Sequence, residues 1–99
     1  MKSYNEKDYY IIRARGAGVF FGHIKQRDGG EVVIGNARRL WFWSGAASLS
    51  QLAVDGVANP NSCKFTVTAE EITVLDAIEL IKCTDKAIAS IQGVREWRA

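Results

Sequence analysis

At 99 residues the chain can close one domain around a single modest core, with little surplus to enclose a deep active site. Hydrophobic residues make up 47% and charged residues 24%, an ordinary globular composition that excludes a disordered chain. The net charge of +2 is too small to draw the whole protein onto nucleic acid or anionic lipid, although residues 1–50 hold eight Lys/Arg against four Asp/Glu and residues 51–99 five against seven. Self-association into a homo-oligomer could use that asymmetry.

In chain order, residues 1–8 are polar and read as a flexible N-terminal segment, with a single α+β domain over 9–99. No stretch approaches the roughly 18 apolar residues of a membrane span, and MKSYNEKDYY lacks the apolar centre of a secretory signal, so the expected location is the cytoplasm. Tyr9 to Arg15 is β-branched and aromatic and predicts a strand that ends at Gly16-Ala17-Gly18. Val19 to Gln26 alternates as a second strand. Arg27-Asp28-Gly29-Gly30 then predicts a hairpin, because glycine supplies the positive φ of tight turns, and Glu31 to Ile34 returns antiparallel. Gly35-Asn36 can be a bulge or a second tight turn before a strand over Ala37 to Trp43.

Ser48, with Gln51 three residues later, fits a capping box, and Gly56 fits the end of a helix of about two turns. Asn59-Pro60-Asn61 reads as a loop, Lys64 to Val67 as a strand, and Ala69-Glu70-Glu71 as a turn. Ile72 to Cys83 reads as one bent or two short strands, with a helix over Leu75 to Leu80 as the alternative. Thr84 caps a final helix over Asp85 to Gln92, with Gly93 at its end. The sum is an α+β domain: a mainly antiparallel sheet or small barrel of about six strands with two short helices.

Catalytic chemistry finds little support. His23 is the one histidine and lies on a strand without a Cys, Ser or acid motif beside it, so a locally hydrogen-bonded strand histidine is the favoured reading over a general base. The serines lack a nucleophile elbow, Glu70-Glu71 fits a solvated turn, and Gly16-Ala17-Gly18 lacks the rest of a nucleotide fingerprint. Cys63 and Cys83 have neither zinc nor redox spacing and read as small core hydrophobes. No enzyme, cofactor or metal is expected.

The informative stretch is NARRLWFWSGAASLSQLA, residues 36–53. On a strand Arg39, Trp41 and Trp43 share one face, while Arg38, Leu40 and Phe42 share the other. A guanidinium beside indoles suits a phosphate and a base, and the small residues before Ser48 could let an anion approach backbone N–H groups. The candidate ligand residues are therefore Asn36, Arg38, Arg39, Trp41, Trp43 and Ser48. The competing reading makes the tryptophans core and Arg39 the cover of an aromatic ring. A protein-protein interface is the third reading, since Trp and Arg are also enriched at hot spots.

Gly18-Val-Phe-x-Gly22, Asn36-Ala-Arg-Arg-x-Trp-x-Trp, Gly45-Ala-x-Ser-Leu-Ser-Gln-Leu-Ala53, Cys63-Lys-Phe65 and Trp97 together resemble a family of short phage and prophage proteins of unknown function. The resemblance implies a small cytoplasmic protein of an infected or lysogenic bacterium. An analogy of size, context and one Arg/Trp-rich face with anti-Thoeris and anti-CBASS sponges, separate from the resemblance, leads to the expectation of counter-defence by sequestering a nucleotide-like ligand such as a cyclic nucleotide signal. The alternatives are an inhibitor or accessory protein that binds a host protein, and weak single-stranded nucleic-acid binding.

Overall fold

A computed structural model describes residues 4–99, and residues 1–3 of the segment expected to be flexible lie outside the described residues. Asp8 N–H donates to Asn5 O at 3.0 Å in a turn, and the Tyr4 ring packs edge-on to Tyr10 with centroids 5.8 Å apart. Six strands follow: β1 (Tyr9–Ala14), β2 (Gly18–Asp28), β3 (Glu31–Phe42), β4 (Lys64–Phe65), β5 (Ala69–Val74) and β6 (Ala77–Lys82). Two helices, α1 (Leu49–Asp55) and α2 (Asp85–Gln92), complete the expected α+β architecture.

All pairings between the strands are antiparallel, in one open sheet of order β4-β3-β2-β1-β6 with β5 also on β3. At 12 residues β3 is long enough for two strands to share its outer edge, β5 along Val32–Ala37 and β4 along Leu40–Phe42. β5 and β6 lie at opposite margins, yet only Leu75 and Asp76 separate them. The sheet must therefore coil until its corners meet. Ala77 pairs with Ala14 at one corner and donates its N–H to Gly30 O at 2.9 Å at the other.

Strand alternation divides the apolar residues between two cores. Ile11, Phe21, Leu40 and Phe65 pack beneath the helices with Leu52, Ala53, Ala87 and Ile91. Their neighbours Ile12 and Phe20 join Ile24, Val32, Ile34 and Val74 on the opposite, inward-coiled face. Phe65 and Leu52 are fully buried, so truncating either to alanine would cost roughly 2–5 kcal/mol.

The local signals behave as their chemistry requires. Gly29-Gly30 joins β2 to β3, and of the two readings at Gly35-Asn36 the bulge is observed: β3 runs through it, with three steps from Gly35 to Arg38 opposite two from His23 to Phe21. Asn36 takes φ +48°, a left-handed conformation that asparagine tolerates better than most residues. Ser48 Oγ accepts from Gln51 N at 3.1 Å, but Gln51 Oε1 accepts from Ala47 N at 2.7 Å, so the capping box closes one residue early. Thr84 Oγ1 caps Ala87 N at 3.1 Å and donates to Val54 O at 2.6 Å, which ties the two helices together. Gly56 ends α1 at φ +76°, where a Cβ would lie 2.3 Å from Ser90 Cβ.

Three expectations are corrected. Ala69-Glu70-Glu71 is not a turn but the start of β5, because Ala69 and Glu71 pair with Ala37 and Gly35, and tertiary pairing outweighs polar composition. The strand expected over Lys64 to Val67 stops at Phe65, since Thr66 uses its side chain as well as its backbone against Arg39 and Arg38 takes the carbonyls of Phe65 and Thr66. Pro60–Ser62 forms a single 3₁₀ turn where a plain loop was expected. The Ile72 to Cys83 run is extended, broken at Leu75-Asp76 into two strands, the first of which begins upstream at Ala69.

Candidate functional site

The six residues singled out from sequence do not converge on one cavity. Adjacent on β3, Arg38 and Arg39 point to opposite faces. Arg38 is only 3% exposed, and its guanidinium donates to four backbone carbonyls: Thr66 at 2.8 Å, Ile91 at 2.7 Å, Phe65 at 3.4 Å and Val94 at 2.6 Å. Two of these acceptors lie at and just beyond the C-terminal end of α2, where the helix dipole is negative and a cation is favoured. Burial lowers the Arg38 pKa, opposed by the charge of Glu96. The expected phosphate grip of Arg38 thus gives way to a structural role, as a strut from β3 to β4 and α2.

Arg39 lies over the Phe20 ring, 4.8 Å from its centroid, which is the ring-covering role weighed against ligand binding. Trp41 is 65% exposed, whereas Trp43 is half-buried against the core under the helices. The small residues before α1 also serve the fold. Gly45 sits at φ +92°, and a Cβ there would be 2.5 Å from Ala58 N. Ala58 N donates to Gly45 O at 3.2 Å, and Asn59 Nδ2 to Ser44 Oγ at 3.1 Å. The strand-helix junction is therefore closed by the returning loop, and Ser48 is engaged as a helix cap.

Two recesses carry the remaining chemistry. The first, a cavity of about 230 Å³, is lined by Tyr9, Phe21, Asn36, Arg38, Gln92 and Glu96 among others. The Asn36 bulge turns its amide toward β1, where Nδ2 donates to Tyr9 Oη at 3.2 Å. The second, a polar groove of about 450 Å³, lies between the Pro60–Ser62 turn and the C-terminal segment and presents Lys64, Arg95, Trp97 and Arg98. Trp97 N donates to Phe65 O at 2.8 Å, and Phe65 bridges Glu96 in parallel, so the segment continues the sheet beyond β4. Lys64 Nζ stands 5.4 Å from the centre of the Trp97 ring, which is 48% exposed. Glu96 lines both recesses.

The Glu96 carboxylate accepts from Arg98 Nη2 at 2.6 Å and from Thr68 N at 3.4 Å, and these bonds, Arg98 first, lower its pKa. With Glu96 offsetting Arg98, Lys64 and Arg95 supply the excess positive charge of the groove. Sequence reasoning noticed only Trp97 here, but the string Arg95-Glu96-Trp97-Arg98 carried the signal in its alternation of cations with an indole.

The remaining reactive groups are occupied structurally. His23 does not make the expected local hydrogen bond at Nδ1, which is buried without a partner among the described residues. Its ring instead covers Gly35, where a Cβ would lie 2.3 Å from Nε2, and meets the Tyr9 ring edge-on at 5.8 Å. Cys83 is buried and its thiol is pushed up to about 12 by desolvation; Cys63 is half-buried against the same core. Glu71 pairs with Lys25 at 2.8 Å and Glu79 with Arg13 at 3.0 Å. Among the described residues no group of three or more metal-ligating side chains occurs, and no helix is long and apolar enough to cross a membrane. No curated protein and no solved structure matches the chain. The chain belongs to the family described as a domain of unknown function, DUF6948, whose model matches residues 7–91.

Proposed function

We propose that this protein is a non-enzymatic binding module that sequesters a nucleotide-like anion in the groove of Lys64, Arg95, Trp97 and Arg98. One observation carries the reading: Lys64, Arg95 and Arg98 line a recess of about 450 Å³ together with the half-exposed Trp97 indole, and Glu96 offsets one of the three cations. Guanidinium and ammonium groups bind phosphate oxygens through charge-assisted hydrogen bonds, and an exposed indole stacks on a base for about 1–3 kcal/mol. In the infected cell implied by the sequence resemblance, the ligand would be a cyclic nucleotide immune signal, held rather than converted. A homo-oligomer would extend a recess that one small domain leaves open.

Calorimetric titration against cyclic nucleotides, linear nucleotides and pyrophosphate tests the reading, with the ligand recovered afterwards and checked for chemical change. Saturable binding of unaltered ligand, weakened at least tenfold in a Lys64→Ala/Arg95→Ala double variant, is expected. Failure of every ligand to bind overturns it, and turnover of the ligand overturns its non-enzymatic part.

A second reading, a site for a host protein or for another copy of this chain, is favoured by the exposure of Trp41 and Phe42 at the end of β3. Sedimentation of the protein alone and with host lysate fractions separates the two, because Trp41→Ala/Phe42→Ala would abolish protein association and leave the groove intact.

A further inference from the structure

The cavity beside Asn36 is not used by the groove reading, although Glu96 lines both recesses. Its size is informative. Pockets that take an entire drug-sized ligand run from about 300 to 1,000 Å³. At about 230 Å³ this one fits a single ring system rather than a whole nucleotide, while the groove of about 450 Å³ has room for the remainder.

Its walls combine Phe21 and Val94 with polar groups that have capacity to spare. Among the described residues, Asn36 Nδ2 gives one proton to Tyr9 Oη, leaving its second proton and Oδ1 available, and Tyr9 retains its own O–H to donate. Gln92, at the last turn of α2, adds a second amide. Donors and acceptors set side by side between apolar walls match the edge of a nucleobase. An inorganic anion would need only the donors. The left-handed conformation of Asn36 strengthens this assignment, because strained backbone at a bulge re-aims a side chain and persists where surrounding structure fixes it.

We infer that the Asn36 cavity receives the base of a nucleoside phosphate whose phosphates occupy the Lys64/Arg95/Arg98 groove. This rests on the groove reading for the phosphates and moves the base from the Trp97 face, over which Lys64 stands, to the Asn36 cavity. The amides of Asn36 and Gln92 read the base edge, and the Tyr9 hydroxyl donates to one of its acceptors.

The test compares pyrophosphate with the adenosine, guanosine, cytidine and uridine diphosphates by calorimetry, on the wild type and on Asn36→Gly and Gln92→Ala. Glycine accepts φ +48° without strain, so Asn36→Gly removes the amide while leaving the bulge, and Gln92 is exposed enough to truncate safely. At least one diphosphate should bind ten or more times more tightly than pyrophosphate. Each variant should reduce that ratio at least threefold without moving the pyrophosphate Kd. A ratio near one in the wild type, or one untouched by both variants, overturns the base pocket and leaves the groove standing. Absence of binding by all five ligands overturns the groove and the base pocket together.

Discussion

Replacing Arg38 by methionine separates a strut from a ligand grip, because the two roles predict opposite outcomes. Four carbonyls, of Phe65, Thr66, Ile91 and Val94, lose a charged donor in this variant. Each hydrogen bond to a charged group is worth about 1.5–3 kcal/mol. Against their sum stands the cost of burying the guanidinium, several kcal/mol, which methionine does not incur. The expected net loss is about 3–5 kcal/mol from a domain whose total stability is on the order of 5–15 kcal/mol. For a domain of this size it lowers Tm by roughly 15–30 °C. Urea unfolding followed by circular dichroism measures it as a fall in midpoint at constant slope. Arg38→Lys should recover only part of the loss, because a point-like ammonium cannot reach four carbonyls. A loss below about 1 kcal/mol for Arg38→Met, with ligand binding abolished, would refute the strut and return Arg38 to the ligand.

Three further outcomes follow from the same geometry. Gly45→Ala should destabilise the fold by more than about 2 kcal/mol, because it places a Cβ 2.5 Å from Ala58 N at φ +92°; a variant as stable as the wild type would reopen the junction as a ligand site. Ser48→Ala should cost about 1 kcal/mol of stability through loss of the α1 cap while nucleotide affinity stays within twofold, and a tenfold loss of affinity would contradict that assignment. The Cys83 thiol titrates near 12 in the folded state, above its unfolded value of about 8.5, so the folded state holds a proton that the unfolded state has released between those limits. Stability should therefore be fully present below about pH 8.5 and fall by up to about 1.4 kcal/mol per pH unit above it. The difference in urea midpoint between wild type and Cys83→Ala, followed across that window, measures this slope, and parallel pH curves for the two proteins would contradict it.

The legible part of this fold is the part written in neighbouring residues. Ile11-Ile12 and Phe20-Phe21 announce strands with two apolar faces, the glycines after Asp28 announce a hairpin, and Ser48 and Thr84 announce helix starts. Arg38 could not be read in that way. Its acceptors lie 27, 28, 53 and 56 positions along the chain, and no local pattern reports their convergence. Glu70 and Glu71 misled for a related reason: an acidic pair is tolerated on an edge strand when its partner strand supplies the pairing and Lys25 supplies a counter-charge. Ser44 to Ser48 misled because small residues admit a backbone as readily as they admit an anion, and the loop ending at Asn59 is the occupant.

The position of Arg38 also joins the family's shared region to the proposed site. The family match ends at Ile91, while Arg95, Trp97 and Arg98 lie beyond it. Arg38, inside the match, holds the carbonyls of Ile91 and Val94 on one side and of Phe65 on the other. Phe65 in turn aligns the C-terminal segment through the Trp97 N–H and the bridge to Glu96. A buried guanidinium is costly to keep merely as filling, since a well-packed apolar side chain often serves as well. What it holds together is the end of α2, Val94 and Phe65, the supports of the C-terminal segment that carries Arg95, Trp97 and Arg98. In the pair of arginines on β3, one shields an aromatic ring and the other helps hold a segment neither of them belongs to.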